Sequence, residues 1–123
     1  MKYFNKKTGD IGEDLALEFL EQKGLYVLER NYRNYVGEID IVAMDEEYLV
    51  FIEVKTRLSD RFGMPNEAVD DRKKRKIYDT SAIYIAEKNC TDLDVRYDIV
   101  EVLRENGKFS IHHIVNAFSV DEF

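Results

Sequence analysis

Four side chains in this sequence have the types and order for phosphodiester chemistry: Glu13, Asp40, Glu53 and Lys55. Three carboxylates brought together without a counterion repel, and some must stay protonated. A divalent cation removes the conflict, and an all-oxygen ligand set without cysteine favours a hard ion such as Mg²⁺ or Mn²⁺. Mg²⁺ keeps water in its shell, and a lysine beside it can orient or deprotonate that water and stabilise charge at phosphorus. That is the minimal apparatus for phosphodiester hydrolysis. A second reading stands beside it, in which Glu53 and Lys55 are only a salt bridge at a strand end.

Glu53 and Lys55 lie in the stretch Tyr48–Arg57, YLVFIEVKTR. Strand alternation puts Leu49, Phe51, Glu53 and Lys55 on one face and Val50, Ile52 and Val54 on the other. Both faces begin apolar, which predicts a strand covered on both sides, with the two charges emerging near its C-terminal end. Asp40 sits in Gly37–Met44, GEIDIVAM, a second strand. Ile39, Ile41 and Ala43 share one of its faces; Glu38, Asp40 and Val42 share the other. A polar turn at Asp45–Glu47 joins the two strands into an antiparallel hairpin, which would bring Asp40 close to Glu53.

Glu13 belongs to a helix read over Thr8–Lys23, with Thr8 as N-cap and Gly24 just past the end. Asp10, Asp14, Glu18 and Glu21 form its polar arc. Glu13 instead projects between Leu17 and Leu20, either as a boundary glutamate reaching water or as a carboxylate aimed into a site. Leu25–Arg33 reads as an imperfectly alternating edge strand with Arg30 and Arg33 solvated. Leu58–Glu67, with Gly63 and the sole proline, Pro65, reads as a loop. Arg57 and Arg61 would stand where such a loop contacts a substrate.

A long second helix runs from Glu67 or Asp70 to about Lys88, with Ile77, Tyr78, Ser81, Tyr84 and Ile85 as its packing face. Near its start come Arg72, Lys73, Lys74, Arg75 and Lys76. Lys73 and Lys74 should flank the packing face while Arg72 and Lys76 point outward. The run suits a phosphate-gripping helix end or an ordinary solvated face. Asp94–Leu103 and Lys108–Val115 read as strands around an Asn106-Gly107 turn. His112 and His113 face opposite ways, one of them exposed, and with no HxH or HExxH spacing a zinc site is not expected.

The totals bound the reading. The chain has 123 residues, enough for one domain over 1–123, and 45% are hydrophobic, as in a globular core. One cysteine allows no internal disulfide and suits a reducing, cytoplasmic compartment. No secretory signal or membrane-length apolar run is evident. The net charge of -7 argues against a protein that coats nucleic acid by charge alone. It does not exclude a nuclease, because two bound divalent cations would bring -7 to about -3.

The order D…ExK resembles the PD-(D/E)XK nuclease superfamily. More specific is the series GEDLA (12–16), NYRN (31–34), GEID (37–40), FIEVKTR (51–57), FG (62–63), a basic helix after AVD (68–70), RYDIVEV (96–102) and HIVNAF (113–118). Together these look like the YraN family of endonuclease-like proteins over nearly the full chain, itself similar to archaeal Holliday-junction resolvases. The resemblance implies a restriction-endonuclease-like α/β fold, a central mixed β-sheet flanked by helices in the order α-β-β-β-α-β-β. It implies Mg²⁺ or Mn²⁺ held by Asp40, Glu53 and the backbone carbonyl of Val54, with Glu13 close by or acting through water, and Lys55 as the catalytic lysine. Branched or structured DNA would be the substrate, met by Arg57, Arg61, Arg72, Lys73, Lys74 and Lys76, and a homodimer would suit a two-fold junction. The superfamily's proline is absent, since Ile39 precedes Asp40. Two other readings are a non-hydrolytic nucleic-acid-binding module and a partner-recruiting protein whose acids form a structural network.

Overall fold

A computed structural model describes residues 2–58 and 69–119, with side chains from Asp10 onward in the first helix and up to Arg57 before the gap. The elements are α1 (Lys2–Gln22), β1 (Tyr26–Arg33), β2 (Glu38–Asp45), β3 (Tyr48–Leu58), α2 (Asp71–Glu87), β4 (Asp94–Glu105) and β5 (Lys108–Phe118). This is the expected α-β-β-β-α-β-β order. Arg61 and most of the 58–67 loop lie outside the described residues.

The five strands form one mixed sheet in the order β1-β2-β3-β4-β5, with β3 at its centre. Glu46, at φ 55°, and Glu47 make a two-residue hairpin between Asp45 and Tyr48. Asn106 and Gly107, both at positive φ, make the corresponding turn between β4 and β5. Between these hairpins β3 pairs with β4 in parallel, from Tyr48 opposite Asp94 to Leu58 opposite Arg104. Parallel neighbours need a crossover, and α2 supplies it.

The helices lie on opposite faces of the sheet. Ala16 and Leu20 of α1 bury against Ile41, Ala43, Val50, Ile52, Val100 and Val102. Ile77 and Tyr84 of α2 bury against Tyr32, Val42, Leu49, Phe51, Tyr97 and Phe118. Leu49 and Phe51 therefore meet α2 while Val50 and Ile52 meet α1, as the alternation of β3 requires. The aromatic side of this core is layered: Phe51 stacks on Tyr97 at 5.7 Å and Tyr97 on Phe118 at 5.2 Å, while Tyr84 meets Phe51 edge-on at 5.6 Å.

The first helix departs from expectation at its start. It begins at Lys2, so Thr8 and Gly9 lie inside it and Thr8 is not its N-cap. No proline interrupts residues 2–7, and a lone threonine followed by glycine weakens a helix without ending it. Its end follows the sequence. Gly24 sits at φ 102°, its N–H bonds Glu21 O at 3.1 Å, and Leu25 N–H bonds Leu20 O at 3.0 Å. This is a Schellman motif, closed by burial of Leu20 and Leu25 together.

On the α1 face lies a fully buried carboxylate, Asp98, opposite Ile52 in the ladder. Arg96 grips it from two positions along the strand, Nε and Nη2 each at 3.0 Å. His113 Nε2 lies 2.8 Å from Oδ2, and the Asn116 N–H reaches Oδ1 at 2.9 Å. The irregularity in β5 opposite Asp98, with Asn116 at φ 55°, is what turns that N–H inward. Lys23 Nζ contacts His113 Nδ1 at 2.7 Å; an ammonium only donates, so His113 is the neutral tautomer that donates Nε2–H to Asp98. His112, by contrast, is exposed, as one of the pair should be. Burial alone would raise the Asp98 pKa, but the bonds from His113, Arg96 and Asn116 hold it below the ordinary carboxylate value. Asp98→Ala leaves His113 and the Asn116 N–H without their acceptor, leaves Arg96 with Asp45 alone, and opens a cavity; a stability loss of about 3–5 kcal/mol is expected in urea denaturation.

Candidate metal and phosphodiester site

The site forms where the β2–β3 ladder stops. Backbone pairing runs from Asp45 opposite Tyr48 to Ile41 opposite Ile52 and ends there. One step further come Asp40 and Glu53. In place of a β2 carbonyl, Asp40 Oδ2 accepts the Val54 N–H at 2.8 Å. The N–H and C=O of one strand residue point to the same edge, so the Val54 carbonyl also faces the Asp40 side. The adjacency of Asp40 and Glu53 expected from the hairpin is therefore present.

Both carboxylates are poorly hydrated, and Glu53 lies on the α2 face of the sheet. Asp40 is pushed up to about 7, first by burial and then by the charge of Glu53, with Glu13 adding a smaller push; the Val54 N–H works against them. Glu53, with its side chain 10% exposed, is met by Lys73 of α2, whose Nζ lies 2.8 Å from Oε2. Burial would lower the Lys73 pKa, but the Glu53 contact and the Asp40 charge raise it instead. Lys55 follows Glu53 on the same face of β3, two residues nearer the strand's end. Asp40, Glu53, Lys55 and Lys73 thus form one cluster.

Glu13 comes near but is held elsewhere. Arg30, exposed as the sequence implies, also bridges Glu13 at 3.3 Å and Asp14 at 2.6 Å. The pairing arises because edge strand β1 lies beside α1, a proximity that strand periodicity does not reveal. A hydrogen bond to Asp14 is the main reason the Arg30 pKa rises. The approach of α1 to the sheet depends on Gly12, where a Cβ would collide with the Thr56 side chain on β3.

The remaining basic residues are spread around this cluster. Arg57 pairs with Glu101 of β4 at 2.8 Å. Lys74 lies over the Phe118 ring at 5.7 Å, flanking the packing face. Arg72 and Lys76 are exposed, and the Lys76 stem runs past Gly37. Asp70 caps α2 by accepting the Lys73 N–H at 2.9 Å, which fixes where Lys73 begins.

Among the described residues, no three His, Cys, Asp or Glu side chains are grouped to hold a metal ion. The donor set here is smaller: two crowded carboxylates, with the Val54 carbonyl facing the same edge. It fits Mg²⁺ or Mn²⁺, which bind through one or two carboxylates and fill the other positions with water and phosphate oxygens. The raised Asp40 pKa is what such a pair should show before a cation relieves it.

The pattern of the whole chain agrees with known sequences. The family described as uncharacterised protein family UPF0102 matches residues 12–102, which spans Glu13, Asp40, Glu53 and Lys55. The chain belongs to this family, also known as YraN. It is 43% identical over 122 residues to the UPF0102 protein of Clostridium acetobutylicum, covering 98% of this chain and all of the relative. It is 44% identical to that of Caldanaerobacter subterraneus subsp. tengcongensis, covering 96% of this chain and again all of the relative. A Clostridium botulinum UPF0102 protein is 43% identical over 123 residues.

Asp40 gives the site a pH signature. Its ordinary value is 3.8, and the folded protein raises it to about 7. Between these limits the folded state holds a proton that the unfolded chain has lost. Without metal, stability should therefore fall as pH rises from about 4 to about 7, then level off. Asp40→Asn, which keeps an acceptor for the Val54 N–H, should flatten that slope in urea denaturation at stepped pH.

Proposed function

We propose that this protein is a metal-dependent endonuclease that hydrolyses phosphodiester bonds in branched or structured DNA. The observation that carries the reading is the convergence of Asp40 and Glu53 at the end of the β2–β3 ladder, with Lys73 against Glu53 and Lys55 next along the same face of β3. Asp40, Glu53 and the Val54 carbonyl would hold Mg²⁺ or Mn²⁺, with Glu13 acting through water. Bound there, the ion supplies Lewis-acid polarisation of the phosphate and cancels the repulsion between the carboxylates.

Each nearby side chain then has a task. Lys55 orients the attacking water and stabilises the negative charge that builds on the phosphoryl oxygens. Arg57, Arg61, Arg72, Lys73, Lys74 and Lys76 supply phosphate contacts, and these position the strand rather than read its sequence. With a net charge of -7, such contacts must be local, which favours a substrate recognised by shape at one face. A homodimer would match the two-fold symmetry of a four-way junction. The single cysteine suits the reducing cytoplasm, and no helix among the described residues is long and apolar enough to cross a membrane.

One observation favours a different reading. Glu13 and Glu53 each already have a cationic partner, Arg30 and Lys73. A non-hydrolytic nucleic-acid-binding module, or a partner-recruiting protein, needs its acids paired in just this way and no ion between them.

Cleavage of a labelled four-way junction and a matched linear duplex, with Mn²⁺ or EDTA, separates these. Metal-dependent cutting of the junction is expected, with Glu53→Gln and Asp40→Asn reducing the rate by at least about 100-fold while remaining folded. Lys55→Ala should lose a comparable factor and still bind Mn²⁺. Binding without cutting by the wild-type protein would support the non-hydrolytic module; neither cutting nor binding would point to a protein partner.

A further inference from the structure

The basic run at the start of α2 contradicts the helix around it. The first turn of a helix carries partial positive charge, and cations there are unfavourable by about 0.3–1 kcal/mol each. Arg72, Lys73 and Lys74 nevertheless stand at the start of the helix, just after the Asp70 cap and Asp71, the sole acidic residue of the first turn. Where a local rule is broken beside a candidate site, the gain must lie in that site. For Lys73 the gain is visible: its ammonium lies 2.8 Å from Glu53 Oε2, and the Asp40 charge also acts on it.

We propose that Lys73 is the resident counter-cation of the Asp40–Glu53 pair, seated on Glu53 in the metal-free protein and displaced from it when a divalent ion binds. This rests on the reading of the site as a metal centre. A carboxylate as poorly hydrated as Glu53 needs a positive partner at all times. Lys73 meets that need without closing the site. Its backbone is pinned by the Asp70 cap, but its side chain is 45% exposed and ends a flexible four-carbon stem. It can therefore swing into solvent at little cost, which a buried guanidinium held at two points, such as Arg96, cannot do.

Two consequences follow. The apparent affinity for the ion is reduced by the fraction of molecules in which Lys73 occupies Glu53. The released ammonium stays tethered next to the metal, where a phosphate would arrive, so the same event loads the site and frees a phosphate contact. Arg30 does not compete in this way, because it holds Glu13 and Asp14 rather than the central pair.

The test is Mn²⁺ titration by calorimetry, with thermal denaturation in parallel, on the wild type and on Lys73→Met, Lys73→Gln and Lys73→Arg. Met and Gln should bind Mn²⁺ about three- to tenfold more tightly than wild type, as expected for losing a competing, partly exposed ion pair. Without metal both should melt lower than wild type, because the carboxylates lose their partner; saturating Mn²⁺ should erase that deficit. Arg should behave like wild type. Wild-type or weaker Mn²⁺ affinity in both Met and Gln overturns the proposal while leaving the metal centre standing. Failure of the wild type and every variant to bind Mn²⁺ overturns the metal centre itself, and this role with it.

Discussion

Two carboxylates cannot share a poorly hydrated pocket unless something positive stands between or beside them. Asp40 and Glu53 are in that situation because of how two strands part. While β2 and β3 stay hydrogen-bonded, their facing side chains are apolar and the pair is sealed. Where pairing stops at Ile41 and Ile52, the next residue on each strand is an acid, and the backbone that would have bonded to β2 turns to the Asp40 carboxylate instead. The rest of the molecule braces this parting: α2 places Lys73 over it from one face, and α1 approaches from the other with Gly12 against Thr56.

The sheet holds a useful internal contrast. Asp98 sits at nearly the same level as Glu53 but on the opposite face, and it is the more deeply buried of the two. Its two oxygens receive four bonds, from Arg96 twice, His113 and Asn116, and its pKa goes down. Asp40 has one backbone N–H and an acidic neighbour, and its pKa goes up. Burial is common to both. What differs is whether the chain has provided donors, and a carboxylate left short of donors is available to a ligand in a way that a saturated one is not.

Much of this was legible in the residues. Alternation along YLVFIEVKTR located both faces of β3, and the polar turn after Met44 set the register that joins Asp40 to Glu53. The Asp98 network was not legible, because its members come from α1, β4 and β5 and meet only after the sheet and α1 are assembled. RYD and HIVN look like ordinary strand ends until the β5 irregularity turns Asn116 toward Asp98. A strand aspartate flanked by tyrosine and isoleucine was a usable signal that it went inward. Arg30 is exposed, as its place in an edge strand implies, but its pairing with Glu13 and Asp14 was not legible: strand periodicity says which face a residue takes, not that a helix with two acids will lie beside it. The helix start was missed because Thr8 has the right chemistry for a cap, and chemistry alone does not stop a helix whose preceding residues also form one.

The parallel pairing of β3 with β4 has a consequence for how the chain reaches this state. The two strands pair at a constant offset of 46 residues (94 − 48), whereas β1, β2 and β3 form by local hairpins. Local contacts form early and distant ones late, since the connecting chain must first be closed. During synthesis the three-stranded meander therefore emerges with the long apolar edge of β3 unpaired until α2 and β4 follow. An open, flat, apolar edge is a template for pairing with another chain. Glu53 and Lys55 near the end of β3 interrupt that edge, so the same charges that build the site also guard the half-made sheet against its neighbours.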